Sequence, residues 1–238
     1  RGAGQGRGAS YGARPGGSGR EGAGRRGGPA AGAAFRGGGG MGGEGKLRLG
    51  GAEDHARLGE LLRPDFRERL EQENNFFDGA RQELSSRRVN LRVRLMGDRA
   101  EVTVKGRSVL TGGVARAPEE NEAVEPAVAQ GWVADPLSLP SAGPSLPGRT
   151  AAEYGVPPGG FVGLGGFRNV RDVFLWEGET LELDETLYDW GTLYELECET
   201  ACPDAVKPRL EALLRGAGVA FRDSTTSKFA NFRLRTLD

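Results

Sequence analysis

Charged and apolar residues alternate with a period of two along several short runs of this chain. In Tyr194-Glu195-Leu196-Glu197-Cys198-Glu199 every second residue is a carboxylate. A strand sends successive side chains to opposite faces, so three acids share one face while an aromatic, a leucine and a cysteine share the other. The pattern recurs in Glu44-Gly45-Lys46-Leu47-Arg48-Leu49, Leu91-Arg92-Val93-Arg94-Leu95, Val102-Thr103-Val104-Lys105 and Leu181-Glu182-Leu183-Asp184. One such run describes any half-buried strand. Five, some basic and some acidic, point to antiparallel strands that close a barrel around a charged lumen, with an apolar exterior that helices must cover. A lumen of both signs suits a polyanion carried with divalent cations.

The same reading orders the rest of the chain. Strands are predicted over 44–49, 88–95, 100–106, 161–167, 170–176, 179–186 and 192–200, with a hairpin turn at Gly97-Asp98 and a last strand over Lys228–Leu234. A helix is predicted over 52–70, broken by Pro64, and a second over Pro203–Gly216, with Val206, Leu210, Leu213 and Leu214 on one face. Residues 72–78 lead into a turn at Gly79. The stretch 111–160, rich in Pro, Ala, Gly and Glu, reads as a long, partly disordered surface insertion. The fold class is therefore mainly β (α+β), an eight-stranded antiparallel closed barrel or tunnel under a few helices.

Charge changes the picture only when it is localised. The net charge is −1, but residues 1–40 hold seven Arg and one acid (Glu21), so the remaining chain carries −7. That argues against nucleic-acid binding by the folded part. Residues 1–40, almost all Gly, Ala and Arg, cannot offset their ordering entropy and are expected to be a disordered, inert tail or an artefact upstream of a start at Met41. An organelle transit peptide is the less favoured alternative, with few hydroxyl residues and no amphipathic pattern. No apolar run is long enough for a membrane helix. Two cysteines, Cys198 and Cys202, and a single histidine, His55, exclude a disulfide scaffold and a self-contained zinc site. A cytoplasmic monomer is expected. His55 reads as a solvated helix residue, Cys198 as core, and Trp176 and Trp190 as packing anchors.

From Met41 to Leu237 the chain resembles the triphosphate tunnel metalloenzymes (CYTH superfamily), and within them the plant tripolyphosphatase branch. The resemblance rests on Glu44-Gly45-Lys46-Leu47-Arg48-Leu49, Asn75-Phe76-Phe77-Asp78, Leu91-Arg92-Val93-Arg94, Val104-Lys105, Gly165-Gly166-Phe167 with Asn169-Val170-Arg171, Leu181 to Thr186, Tyr194 to Glu199 and Ser227-Lys228-Phe229. It implies an eight-stranded tunnel that hydrolyses a short linear triphosphate with Mg²⁺ or Mn²⁺. Glu44, Glu195, Glu197 and Asp184 would hold metal, and Lys46, Arg92, Arg94, Lys105, Arg171 and Lys228 would grip the triphosphate, with Glu44, Lys46 and Glu197 central to catalysis. Two departures stand out. Gly42 occupies the first Glu of the family's Glu-x-Glu-x-Lys signature, and Gly43 and Gly45 replace β-branched residues. The Pro-rich 136–160 stretch stands where relatives carry a more helical segment. Glu119, Glu120 and Glu122 fall where the family has a further acidic strand. The leading expectation is an inorganic tripolyphosphatase. Its rivals are a thiamine or nucleoside triphosphatase, cyclase chemistry included, and a polyphosphate-binding module without turnover.

Overall fold

The computed structural model describes the backbone of residues 43–107, 109–111, 114–116, 118–200 and 202–238, and their side chains apart from 43, 44, 109–111, 114–116 and 199. The expectations for residues 1–40, Met41 and Gly42 lie outside the described residues.

Alternation builds one large antiparallel sheet. Its strands are β1 (Gly43–Leu49), β2 (Phe66–Gly79), β3 (Asn90–Met96), β4 (Arg99–Lys105), β5 (Val109–Thr111), β6 (Val114–Arg116), β7 (Glu119–Val124), β8 (Phe161–Trp176), β9 (Glu179–Tyr188), β10 (Gly191–Thr200) and β11 (Phe221–Asp223). The path runs β5-β6-β1-β10-β9-β8-β2-β3-β4-β7, with β11 attached to β1. Eleven strands replace the expected eight. Among the described residues no pairing joins β5 to β7, so hydrogen bonds do not close the barrel. The extra strands are three-residue pieces (β5, β6 and β11), too short to show a period.

The apolar faces point outward and are covered by helices. Beneath α1 (Ala52–Leu62) and α4 (Pro203–Gly216), the side chains of Leu47, Leu181, Leu183, Leu196 and Cys198 pack with Leu58, Leu62, Val206, Leu210 and Leu214. Beneath α2 (Pro126–Ala134) and α3 (Leu146–Tyr154), Phe77, Leu91, Val93 and Val102 pack with Ala129, Trp132, Leu146 and Ala151. The 111–160 stretch is thus no surface insertion; it supplies β6, β7 and the end of β5, and the helices α2 and α3 that cover the side chains of Phe77, Leu91, Val93 and Val102. Pro126 and Pro147 sit in the first turns of α2 and α3, where a missing N–H costs nothing, and Gly155 ends α3 in the left-handed conformation.

Three other expectations are corrected. The first helix stops at Leu62, Pro64 falls in a 3₁₀ turn, and Phe66–Gly79 is strand rather than helix end and turn. The two strands expected over 161–176 are one, lying against β2 so closely that a Cβ on Gly166 would sit 1.8 Å from the Asn74 carbonyl oxygen. Lys228–Leu234 is a helix, α5, because Ser227 Oγ accepts a hydrogen bond from the Ala230 N–H as an N-cap. Its Phe229 and Phe232, three residues apart, join Phe76, Phe167, Tyr188, Leu193 and Trp190 in an aromatic cluster. The inward rows Gln72-Asn74-Phe76, Arg171-Asn169-Phe167 and Glu197-Glu195-Leu193 each run from polar to apolar, so this cluster plugs one end of the charged face.

Candidate active site

Register, not sequence proximity, brings opposite charges together. On the inner face Lys46 lies across from Glu197 and Arg48 from Glu195. Glu195 in turn faces Asp184, and Glu197 faces Glu182. Arg171 on β8 faces Asp184. Each cation therefore sits beside a carboxylate on the next strand, which is what makes so many buried charges tolerable.

Asp184 is fully buried at 0% exposure. It accepts from Arg171 at 2.7 and 2.6 Å, from Asn169 Nδ2 at 2.9 Å and from Lys228 Nζ at 2.7 Å. Burial alone would raise its pKa, but the Arg171 and Lys228 charges win and hold it at about 2. Glu197 accepts from Lys46 Nζ at 2.6 Å, Arg171 at 2.8 Å and Lys228 Nζ at 2.5 Å. Glu195 accepts from Arg48 at 3.1 Å and Ser224 Oγ at 2.9 Å, and meets Lys228 Nζ at 3.2 Å. Arg171 also pairs with Glu182. Burial pulls the Arg171 and Lys228 pKa values down, yet the surrounding acids, Asp184 foremost, raise both well above the ordinary range.

The other wall is basic. Arg92 donates to Thr103 Oγ1 at 3.0 Å and Arg94 Nε to Asn74 Oδ1 at 2.9 Å. Arg94 makes no ion pair among the described residues. Burial, with the charges of Arg92 and Arg171, lowers its pKa from 12.5 to about 9. Lys105 stands apart at the β4–β7 edge, half-buried, 2.9 Å from Glu119. Glu119, Glu120 and Glu122 do form an acidic strand, β7.

Of the ten residues singled out from sequence, Lys46, Arg171, Lys228, Asp184, Glu195 and Glu197 share one network, Arg92 and Arg94 line the adjoining wall, and Lys105 lies at the rim. Glu44 pairs with Glu199 through the backbone register, and its side chain lies outside the described residues. Among the described residues no three His, Cys, Asp or Glu side chains are arranged as a cage for a metal ion; Lys and Arg nitrogens sit between the acids instead. The donor set itself fits a hard divalent cation, since Asp184, Glu195 and Glu197 all reach one positive nitrogen through carboxylate oxygens.

The comparisons with known proteins bear on this arrangement. The CYTH domain model matches residues 44–227. The chain belongs to the CYTH domain family. It is 40% identical to a Hippeastrum protein described as an adenylyl cyclase candidate that reveals a dominant triphosphatase activity, with a TM-score of 0.80 over 83% of this chain and 98% of that one. A Bacillus halodurans protein described as an adenylate cyclase candidate is 20% identical at TM-score 0.61, covering 79% of this chain and 95% of that one. The Pyrococcus horikoshii protein PH1819 is 19% identical at TM-score 0.52, covering 81% and 99%. These two share the fold alone. No curated protein matches the chain.

This CYTH chain also uses residues that sequence reasoning passed over. Arg48 and Glu182 extend alternations already visible in β1 and β9, so their signal was present. Asn74, Asn169 and Ser224 bind the charged groups, and Thr186 donates to Asn169 Oδ1, but all four are neutral and no charge pattern marks them. His55 is corrected: it is half-buried against Tyr194, ring centroids 5.2 Å apart, with Nε2 buried and without a hydrogen-bond partner among the described residues. Burial lowers its pKa below 6.5, although Glu185, Asp172 and Asp184 oppose the shift. No helix of the described residues is long and apolar enough to cross a membrane.

Proposed function

We propose that this CYTH protein is a metal-dependent hydrolase of a short linear triphosphate, inorganic tripolyphosphate first among substrates, acting as a cytoplasmic monomer. The observation that carries this reading is Arg94, a part-buried cation that makes no ion pair among the described residues and whose pKa burial and the charges of Arg92 and Arg171 lower to about 9 against the opposing charges of Glu101 and Glu182. Such a group is costly to bury alone and is relieved by a bound anion. With Arg92 and Arg171 near it, Lys46 and Lys228 on the acidic wall and Lys105 at the rim, the site offers several cations to successive phosphates. Arg suits bidentate contact with phosphate oxygens, and Lys supplies a point charge.

Glu44, Asp184, Glu195 and Glu197 would hold Mg²⁺ or Mn²⁺, which would supply charge neutralisation of phosphate oxygens and a lowered water pKa when bound. The residues' own part is positioning and electrostatics. Arg92, Arg94 and Arg171 fix the chain, and Lys46 and Lys228 offset charge on the terminal phosphoryl group as water adds to phosphorus and the bond to the bridging oxygen breaks. Phosphate and diphosphate are the products. No side-chain nucleophile is required. An inorganic substrate is favoured because the aromatic rings nearest the charged face are packed on one another, Phe76 against Phe229 at 4.6 Å and Tyr188 against Trp190 at 4.9 Å, rather than open to a base.

The test is phosphate release by residues 41–238 from tripolyphosphate, ATP and thiamine triphosphate with Mg²⁺, Mn²⁺ or EDTA, beside folded Glu197→Gln. Preferential, EDTA-sensitive release from tripolyphosphate that the variant loses supports the proposal. Preference for ATP with cyclic nucleotide formation would move the substrate within the family. Tight tripolyphosphate binding without turnover would favour the binding module that Gly42 suggests.

A further inference from the structure

We infer that Lys228 is a built-in counter-ion that competes with a divalent cation for Asp184, Glu195 and Glu197, so that cation binding and release of the Lys228 ammonium are one event. This rests on the reading of the site as metal-dependent. Oxygens from all three carboxylates, on two adjacent strands, converge on Lys228 Nζ at 2.7, 3.2 and 2.5 Å. Carboxylates gathered around one positive centre are what a hard cation requires, and here an ammonium holds that place.

A second observation points the same way. Glu195 is 1% exposed, and its Oε2 is buried without a hydrogen-bond partner among the described residues, facing the ammonium at 3.2 Å. That separation is long for a charge-assisted bond. The acid is gathered into the cluster but not fully satisfied by the lysine.

The lysine is also placed to leave. It is the first residue of α5. Its backbone is fixed, because Tyr188 Oη donates to the Lys228 carbonyl at 2.9 Å and Phe229 and Phe232 are packed in the aromatic plug. Only the flexible four-carbon side chain has to swing. The carboxylates keep Arg171, Arg48 and Lys46 as partners when it does. The freed ammonium then becomes available to a phosphate oxygen. Metal and triphosphate binding would thereby favour each other by the same factor.

The experiment is Mn²⁺ binding by calorimetry and electron paramagnetic resonance, in the absence of any phosphate, for the wild type, Lys228→Met and Lys46→Met. Lys46 reaches Glu197 at 2.6 Å, so Lys46→Met removes equal charge from the same cluster while leaving Lys228 in place. Lys228→Met is expected to bind Mn²⁺ about tenfold tighter, the scale on which a neighbouring charge shifts a carboxylate's proton affinity, and Lys46→Met much less. Equal tightening in both variants, no tightening in Lys228→Met, or no Mn²⁺ binding by any of the three would overturn the inference. If Lys228→Met does not fold, the wild type decides. With lysines carrying ¹³C-methyl groups, the Lys228 signal should move on Mg²⁺ titration, and a signal that stays put refutes displacement. Mn²⁺ binding with this ranking but no tripolyphosphate hydrolysis would sink the proposed substrate and leave the competition standing.

Discussion

Replacing Arg94 with methionine should make the free protein more stable and worse at holding a polyanion. The pKa of Arg94 falls from 12.5 to about 9. At about 1.4 kcal/mol per tenfold change in proton affinity, that corresponds to at most about 5 kcal/mol of penalty on the charged form. The penalty applies throughout the range below about 9, where the native arginine is charged, and is relieved only as pH rises from there towards 12.5. At neutral pH a neutral side chain escapes it. The Asn74 Oδ1 atom loses its donor, 2.9 Å away, which returns about 1–3 kcal/mol. A net gain of about 2 kcal/mol remains, or about 4–8 °C in Tm for a domain of this size. Tripolyphosphate should then reverse the order. Loss of a charge-assisted contact worth about 1.5–3 kcal/mol weakens affinity about tenfold to a hundredfold. The ligand-induced rise in Tm shrinks accordingly. Differential scanning fluorimetry at neutral pH, with and without tripolyphosphate in EDTA, measures both quantities. A variant that melts lower than wild type and responds to tripolyphosphate as wild type does would show that Arg94 is a satisfied structural residue, and the anion-site argument would fail.

Other residues give further tests. Gly45→Ala should stabilise, because a Cβ there meets only the Cys198 carbonyl oxygen at 3.9 Å; strand glycine costs about 0.5–1 kcal/mol, so Tm should rise about 1–4 °C, and an unchanged or lower Tm would count against it. Gly166→Ala should do the reverse by forcing β8 off Asn74, at a cost of about 3 kcal/mol, seen as a lower denaturant midpoint; wild-type stability would refute the close approach. His55 is held below its ordinary 6.5 by burial, so its native form binds fewer protons than the unfolded one and stability falls as pH drops below 6.5. His55→Phe should flatten the pH dependence of Tm in that window, and a slope identical to wild type would assign it to other groups.

What the sequence made legible was the part coded by a two-residue period. Glu195, Glu197, Asp184, Arg92 and Arg94 each neighbour a buried apolar residue in alternating runs, and that inversion already demanded an apolar exterior under helices, whereas Arg171, next to Val170 and Asp172, was marked only by the family resemblance. The parts that escaped were coded otherwise. The helices α2 and α3 carry prolines in their first turns, which the same rule that forbids proline inside a helix permits there. Only seven residues make up α5, and a Phe-x-x-Phe spacing over so short a run is compatible with either strand or helix until the Ser227 cap decides it. The short strands β5, β6 and β11 carry no period at all.

The charges on the inner face impose one more consequence. Asp184, Glu195 and Glu197 are paired with Arg171, Arg48, Lys46 and Lys228, so the acidic wall is neutralised by neighbouring cations, while Arg94 opposite makes no ion pair among the described residues. Among the described residues the basic wall around Arg94 therefore has room for an added anion. A metal ion alone would have to displace lysine or arginine, whereas a triphosphate that brings its own divalent cation supplies an anion to Arg94 and a replacement for the displaced ammonium together. On this argument the metal–triphosphate complex should bind more tightly than the product of the two separate affinities. A non-hydrolysable triphosphate analogue titrated with and without Mg²⁺, corrected for its own Mg²⁺ affinity, measures that excess, and additive binding would remove the electrostatic reason for placing both signs in one lumen.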